Sequence, residues 1–385
     1  LTATLTAGIS KPDLAGFLPP QHYESLLWLN DSMLNATLAL SGNIEDIAID
    51  TLALQIPGLG GLNAGGYIKH LPTATEREGR ITFNAGIDDI KRFIGTPNDS
   101  IDGRTAAKGR ITYVRGVMNT DIALQNASAE ISAAGSYSMG DTAYTALVEI
   151  DRLALADIMP DVPLHKLRMR IEAQGHGLDL FGKETKYDVR AEIDTLHFAD
   201  YRLRSINAKA SQADNVSLIT VEGSDNSLLF GIDATSVLKA SGISNHTTIE
   251  LTKADLKAIG ALDSTMQIST TIDIAATTDF NETHRLELAG TETSIATTRH
   301  RFTPTDLLLS FATSPAMTDI KVENGDLNID GRMDCGYKAL LDALQKIATM
   351  NSNMMSGKSE LYHLHDYEEV LPSISLDFTC GAKNM

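Results

Sequence analysis

The feature that most constrains this chain is an apolar–polar alternation of period two that returns along most of its length. Asn35–Ser41 places Ala36, Leu38 and Leu40 on one face, and Asp50–Ile56 does the same with Leu52, Leu54 and Ile56. Ser269–Ala276 carries Ile272 and Ile274, His284–Ala289 carries Leu286 and Leu288, and Asp326–Gly331 carries Leu327 and Ile329. A strand of this kind turns its apolar side chains to one face of a sheet and its polar ones to the other. The abundant Thr suits a β-branched, water-tolerant outer face. Turn signals at Ser41-Gly42, Asp102-Gly103 and Asn324-Gly325 separate the runs. Asn-Gly and Asp-Gly between alternating segments read as hairpins, so the sheet is expected to be antiparallel in large part.

A second pattern recurs on a longer scale. Four times a strand runs into a short helical turn with an i, i+3 apolar pair: Leu14 with Phe17, Ile90 with Phe93, Leu155 with Ile158, and Leu256 with Ile259. That spacing puts both side chains on one helical face, and Pro or Gly ends each turn. The unequal spacing excludes a strict solenoid repeat. The reading is one supersecondary unit repeated with variable loops, over 1–88, 89–153, 154–254 and 255–335. Residues 336–385 differ. Leu340, Leu341, Leu344, Ile347 and Met350 have helical spacing, with the helix loosening through Met350–Met355. A polar stretch and a closing strand from Ile374 to Phe378 follow. The helix is expected to cover an apolar face or an end of the sheet.

Composition bears on partners. With 50 Asp and Glu against 32 Lys and Arg the formal charge is −18, which repels phosphate backbones and argues against nucleic acid. No segment reaches the roughly 18 apolar residues of a membrane span. The chain begins at Leu1, so it reads as an internal or processed piece, with any anchor outside it. Two cysteines, Cys335 and Cys380, are too few for a disulfide scaffold. One bond between them and two free thiols both remain open.

The search for chemistry is negative. There is no P-loop, Gly-x-Ser-x-Gly elbow or His-Glu-x-x-His motif. Gly58, Gly60, Gly61, Gly65 and Gly66 read as a flexible turn or bulge, because a strand at Tyr67-Ile68 follows where a dinucleotide site would need a helix. His363 and His365 with Asp366, Glu368 and Glu369 read as a solvated loop and not as a metal site. No catalytic residue, metal or cofactor is therefore expected, and the chain does not read as an enzyme.

The run Leu38-x-Leu40-x-Gly42, then Ile49-x-x-Leu52-x-Leu54, then Gly65-Gly66-Tyr67-Ile68 resembles the large periplasmic proteins of the TamB and AsmA-like group. So do the Asp-Leu/Ile-x-x-Phe/Ile turns after strands, and the tail of helix, Leu371-Pro372 and short strand. The resemblance implies an all-β fold: a long curved, mainly antiparallel sheet forming an apolar trough, with short inserted helices and a C-terminal amphipathic helix. It implies a periplasmic location, with anchoring to the inner membrane through a segment absent from this chain. The implied role is a scaffold that moves phospholipid between inner and outer membranes. The implied alternative is assembly of outer-membrane proteins with a barrel partner, although no contact region for that partner is identifiable.

The expected lining residues are Leu38, Leu40, Leu52, Leu54, Ile56, Ile272, Ile274, Leu286 and Leu288. An acyl chain in water costs about 0.8 kcal/mol per exposed methylene, and an apolar lining removes that cost without any catalytic group. Alternation alone fits a packed sandwich, a closed barrel or a β-solenoid as well as a trough. What separates them is whether the apolar faces meet across a filled core.

Overall fold

The computed structural model describes residues 2–14, 33–73, 75–88, 104–157, 159, 161–356 and 373–380. The chain is all-β, a long open antiparallel sheet with few helical segments. It divides into two compact units, Leu1–Leu178 with Lys186–Asn207, and Asp179–Thr185 with Ala208–Met385.

The first unit contains β1 (Thr2–Ile9), β2 (Leu34–Gly42), β3 (Ile47–Ile56), β4 (Gly60–Lys69), β5 (Glu78–Ile87) and β6 (Thr105–Val114). It continues with β7 (Val117–Asn126), β8 (Ala129–Ser138), β9 (Ala143–Leu153), β10 (Leu164–His176) and β11 (Lys186–Phe198). Each strand pairs antiparallel with its sequence neighbour. Strand β12 (Tyr201–Ala213) begins in this unit and ends in the second. A short helix α1 (Lys11–Leu14) follows β1.

The second unit contains β13 (Val216–Asp225), β14 (Leu228–Lys239), β15 (Gly242–Asp255), β16 (Met266–Thr278), β17 (His284–Thr297) and the two-residue β18 (Arg301–Phe302). Then come β19 (Leu307–Ser314), β20 (Met317–Asn324), β21 (Leu327–Met333), helix α2 (Tyr337–Met355) and β22 (Ile374–Cys380). Strand β22 pairs with β21. The Asn324-Gly325 hairpin forms as expected, with Gly325 at φ 60° and Asn324 paired to Leu327. Asp102-Gly103 lies outside the described residues.

Burial is unevenly placed. The apolar side chains that are buried among the described residues are Leu59, Ala129, Ile206, Ala254, Ile259, Met333 and Ala343. Leu59, Ala129, Ala254, Ile259 and Met333 sit at strand ends or in the turns beside them. The short turns cover those ends. A 3-10 turn at Leu155–Asp157 is held down by Ser128 Oγ donating to Asp157 Oδ2 at 2.9 Å, beside buried Ala129. After β15 the Ile259 N–H returns to Asp255 O, which tucks Ile259 inward. Leu14 lies in α1, but Phe17, Ile90, Phe93 and Ile158 lie outside the described residues.

Two expectations are corrected and one open alternative is decided. Helix α2 does not loosen at Met350 but runs to Met355, because Met is a good helix former. Most of the glycine-rich stretch is strand: the turn is confined to 57–59, and Gly60 to Gly66 belong to β4. Their small size answers a bulge in β3, where the register slips between Ile49 and Leu52. The cysteines are free. Cys380 pairs with Leu327 at one end of β21 and Cys335 follows Met333 at the other. Six strand steps of about 3.3 Å separate those ends by roughly 20 Å, and a disulfide needs Cα atoms within about 7 Å.

Two apolar faces as a candidate functional site

In the first unit, direct cross-strand pairing links Leu5, Leu38, Leu52, Ala64, Phe83, Gly109, Ile122, Ala133, Val148, Ile171 and Ala191 into one row. Opposed residues of an antiparallel pair share a face, so this row is one continuous apolar stripe. Ten steps of about 4.8 Å make it roughly 48 Å long. Leu40 with Ile49, and Leu54 with Leu62, belong to parallel rows on the same face. Ile56 opposes Gly60 at the end of β3.

Aromatic rings lie down on this face. A Cβ at Gly109 would run into the Phe83 ring, and one at Gly175 would meet Tyr144. The missing side chains let the rings rest on the backbone and keep the face low. Two concavities open on it: about 340 Å³ beside Ile68, Ile81, Ile111, Tyr113 and Met139, and about 490 Å³ beside Ala3, Leu40, Gly42, Ile44 and Ile47.

The second unit also has an apolar face, but an interrupted one. Ile232, Ile249 and Ile272 form a row, and Ile274, Leu288, Leu309, Val322 and Ile329 form the next. Leu286 opposes Ala276 and Phe311. Phe230 covers Gly223 as Phe83 covers Gly109. On the same face, however, sit Ser236, Asn245 and Thr247. Asn245 Nδ2 donates to Ser236 Oγ at 2.8 Å, and Thr247 Oγ1 donates to Asn245 Oδ1 at 2.9 Å. A further row is polar across Thr278, His284, Thr313 and Thr318.

That polar row seats the start of α2. Thr313 and Thr318 hydroxyls meet at 2.8 Å, and Thr318 Oγ1 also lies 2.8 Å from Cys335 O, to which it can donate. The Tyr337 N–H, which has no partner within the helix, donates to Thr313 Oγ1 at 3.1 Å. The Tyr337 ring meets His284 edge-on, centroids 5.1 Å apart, and Lys338 pairs with Glu282. Leu340, Ile347 and Met350 are half-buried and Ala343 is buried, while Leu341 and Leu344 are exposed. Sequence reading missed Thr313 and Thr318. The available signal was a hydroxyl at an inward position after Leu307, Leu309 and Phe311.

All nine expected lining residues lie on these apolar faces. Leu38, Leu40, Leu52, Leu54 and Ile56 come together on β2 and β3, and Ile272, Ile274, Leu286 and Leu288 on β16 and β17. All nine are half-buried, neither sealed nor free in water. The opposite face carries the charges, with ion pairs such as Arg170–Glu149 at 2.7 Å and Arg332–Asp319 at 3.3 Å. Arg168 bridges Asp151 and Asp194, which are the extra residues of two β-bulges flanking it. A concavity of about 450 Å³ on that polar face is lined by His246, Asp273, Glu287, Lys321 and Glu323.

Among the described residues no group of three or more His, Cys, Asp or Glu is placed to hold a metal. His363, His365, Asp366, Glu368 and Glu369 lie outside the described residues. No described helix is long and apolar enough to cross a membrane. Neither the family models nor the curated proteins nor the solved structures contain a match to this chain.

Proposed function

We propose that the apolar faces bind lipid acyl chains, and that the protein is a periplasmic scaffold holding phospholipid in transit between inner and outer membranes. The observation that supports this reading is the half-buried state of Leu38, Leu52, Leu54, Ile272 and Leu288. A filled core drives such side chains below a tenth of their free exposure, and bulk water leaves them far more open. Half-burial leaves apolar area for a ligand to cover, worth about 25 cal/mol per Å². Sliding along such a face breaks no hydrogen bond, so no chemical step is needed.

Native mass spectrometry of the purified chain, with extraction and identification of bound lipid, tests the proposal. Phospholipid that co-purifies with the wild type and is lost in Leu54→Asp or Ile272→Asp is the expected result. A chain that stays lipid-free after exposure to vesicles overturns it.

A second reading, a scaffold for outer-membrane proteins with a barrel partner, is favoured by β1. Its sequence TATLTAGI carries no charge, Leu5 is 64% exposed, and among the described residues it pairs only with β2. An uncharged edge of this kind can accept an incoming strand. Lys substitutions at Thr4 and Thr6 would then abolish partner capture while leaving lipid content unchanged.

A further inference from the structure

The first unit carries 18 basic and 24 acidic residues, a net of −6. Against that background His165, Lys166, Arg202 and Arg204 cluster within the first four residues of β10 and β12. Lys166, Arg202 and Arg204 are exposed, and among the described residues none has an ion-pair partner. Arg168 nearby is occupied by Asp151 and Asp194. Asp161 and Asp200, in the adjoining turns, make no ion pair among the described residues.

His197 reports that these cations converge. It opposes Lys166 in the register. Burial, and then the charges of Arg202, Lys166, Arg204 and His165, hold its pKa below the usual histidine range. Its Nε2 is buried without a hydrogen-bond partner. The backbone is irregular at the same place: a bulge at His165, and Ser205, directly after Arg204, at φ 52°. Bulges re-aim side chains and gather next to functional sites.

The apolar face ends at the same strand ends. Leu167 pairs with Leu196 there on the apolar face, Lys166 and His197 stand one residue along on the opposite face at the same strand ends, and Phe198 and Tyr201 beside them are 46% and 47% exposed. Cations next to exposed aromatics are the composition of a surface that meets lipid headgroups.

We infer that Lys166, Arg202 and Arg204 form a rim site for the phosphate of an anionic phospholipid, bound where its acyl chains meet the apolar face. This rests on the lipid-binding reading above. The remaining negative charge of the chain is screened beyond about 8 Å at physiological salt, so it does not cancel a local cluster.

The test is flotation of the full chain with phosphatidylcholine vesicles containing or lacking phosphatidylglycerol. The variants are Lys166→Gln/Arg202→Gln/Arg204→Gln and a charge-matched control, Lys209→Gln/Lys239→Gln/Lys257→Gln. Binding should require phosphatidylglycerol and weaken about fivefold per rim cation removed. The control should match wild type, and the His197 pKa, followed by NMR, should rise when the vesicles bind. Equal binding by wild type and the rim variant, or equal loss in the control, overturns the proposal. Inorganic phosphate that binds as tightly as the vesicles overturns the lipid assignment and leaves a small-anion site. Rim-dependent vesicle binding by a chain that never carries lipid overturns the acyl-chain reading instead.

Discussion

The two units share a strand grammar but finish their apolar faces differently. The first keeps Leu38, Leu52, Ala64, Phe83 and Ile122 in an unbroken row, with Thr120 and the Thr105–Asn126 pair, 3.1 Å apart, as polar positions elsewhere on that face. The second interrupts its face with Ser236, Asn245, Thr247 and the Thr278–His284–Thr313–Thr318 row, and plants a helix there. It is also the more acidic, with 14 basic and 26 acidic residues against 18 and 24. An amphipathic helix needs an address on a sheet. Aliphatic side chains give adhesion without position, whereas a hydroxyl pair aimed at Cys335 O and the Tyr337 N–H fixes where the helix begins. The first unit is built as surface and the second as surface with a stop.

The largest effect that could break this contrast is expected at Thr318, which is 1% exposed. Thr318→Val keeps the shape, removes a hydroxyl and leaves Cys335 O unpaired, at a cost of about 1–3 kcal/mol. Urea unfolding followed by hydrogen exchange should show faster exchange in the first turn of α2 and none of this in β2 to β9. Unchanged exchange in α2 would mean that the polar row does not seat the helix.

A smaller effect sharpens what the units share. Gly109→Val and Gly223→Val each push a Cβ into a ring, Phe83 or Phe230. Overpacking costs about 1–3 kcal/mol, partly offset by the better strand propensity of Val. Thermal unfolding should show similar losses for both. A loss in only one would show that the rings lie down for different reasons in the two units.

Smaller again is an acid-side effect in the first unit. The folded pKa of His197 lies below its ordinary value near 6.5, so the unfolded chain holds the extra proton in the window between the two. Stability therefore falls as the pH drops through that window. Denaturation at several pH values should show His197→Gln flattening this slope. A slope that survives the substitution assigns it to other groups.

The smallest effect should be common to both units. Asp279, through the N–H groups of Asn281 and Thr283, and Asp141, through Ser138 and the Ala143 N–H, have lowered pKa values. Each hairpin contributes stability that is present above pH 3.8 and lost as the pH falls through the lowered value. Asp279→Asn and Asp141→Asn should each slightly reduce the melting temperature at neutral pH, and the difference from wild type should vanish as the pH falls below the lowered pKa. A large loss at one only would mark that hairpin as a special element.

Much of the face was legible before folding. Leu38 shares a face with Leu40, and Ile272 with Ile274, because period two is a property of each strand alone; the hairpin registers then set Leu38 opposite Leu52 and Ile274 opposite Leu288. Even the slip in β3 was written as Ile49-x-x-Leu52, an odd spacing that a bulge converts back to one face. The hydroxyl clamp was harder to see. Thr313 and Thr318 are ordinary strand residues until the hairpin sets them opposite each other and Cys335 returns above them. The rim cations were visible only as two basic runs some thirty-five residues apart, which β11 and its His197 bring together.

The sequence by itself determined which residues share a face, because side-chain direction along a strand depends only on neighbouring dihedral angles. Tertiary structure alone decided that this face stays half-buried, that its deepest packing lies at the strand ends, and which groups meet across strands. Burial and charge convergence depend on what approaches through space, and a local period carries no information about that.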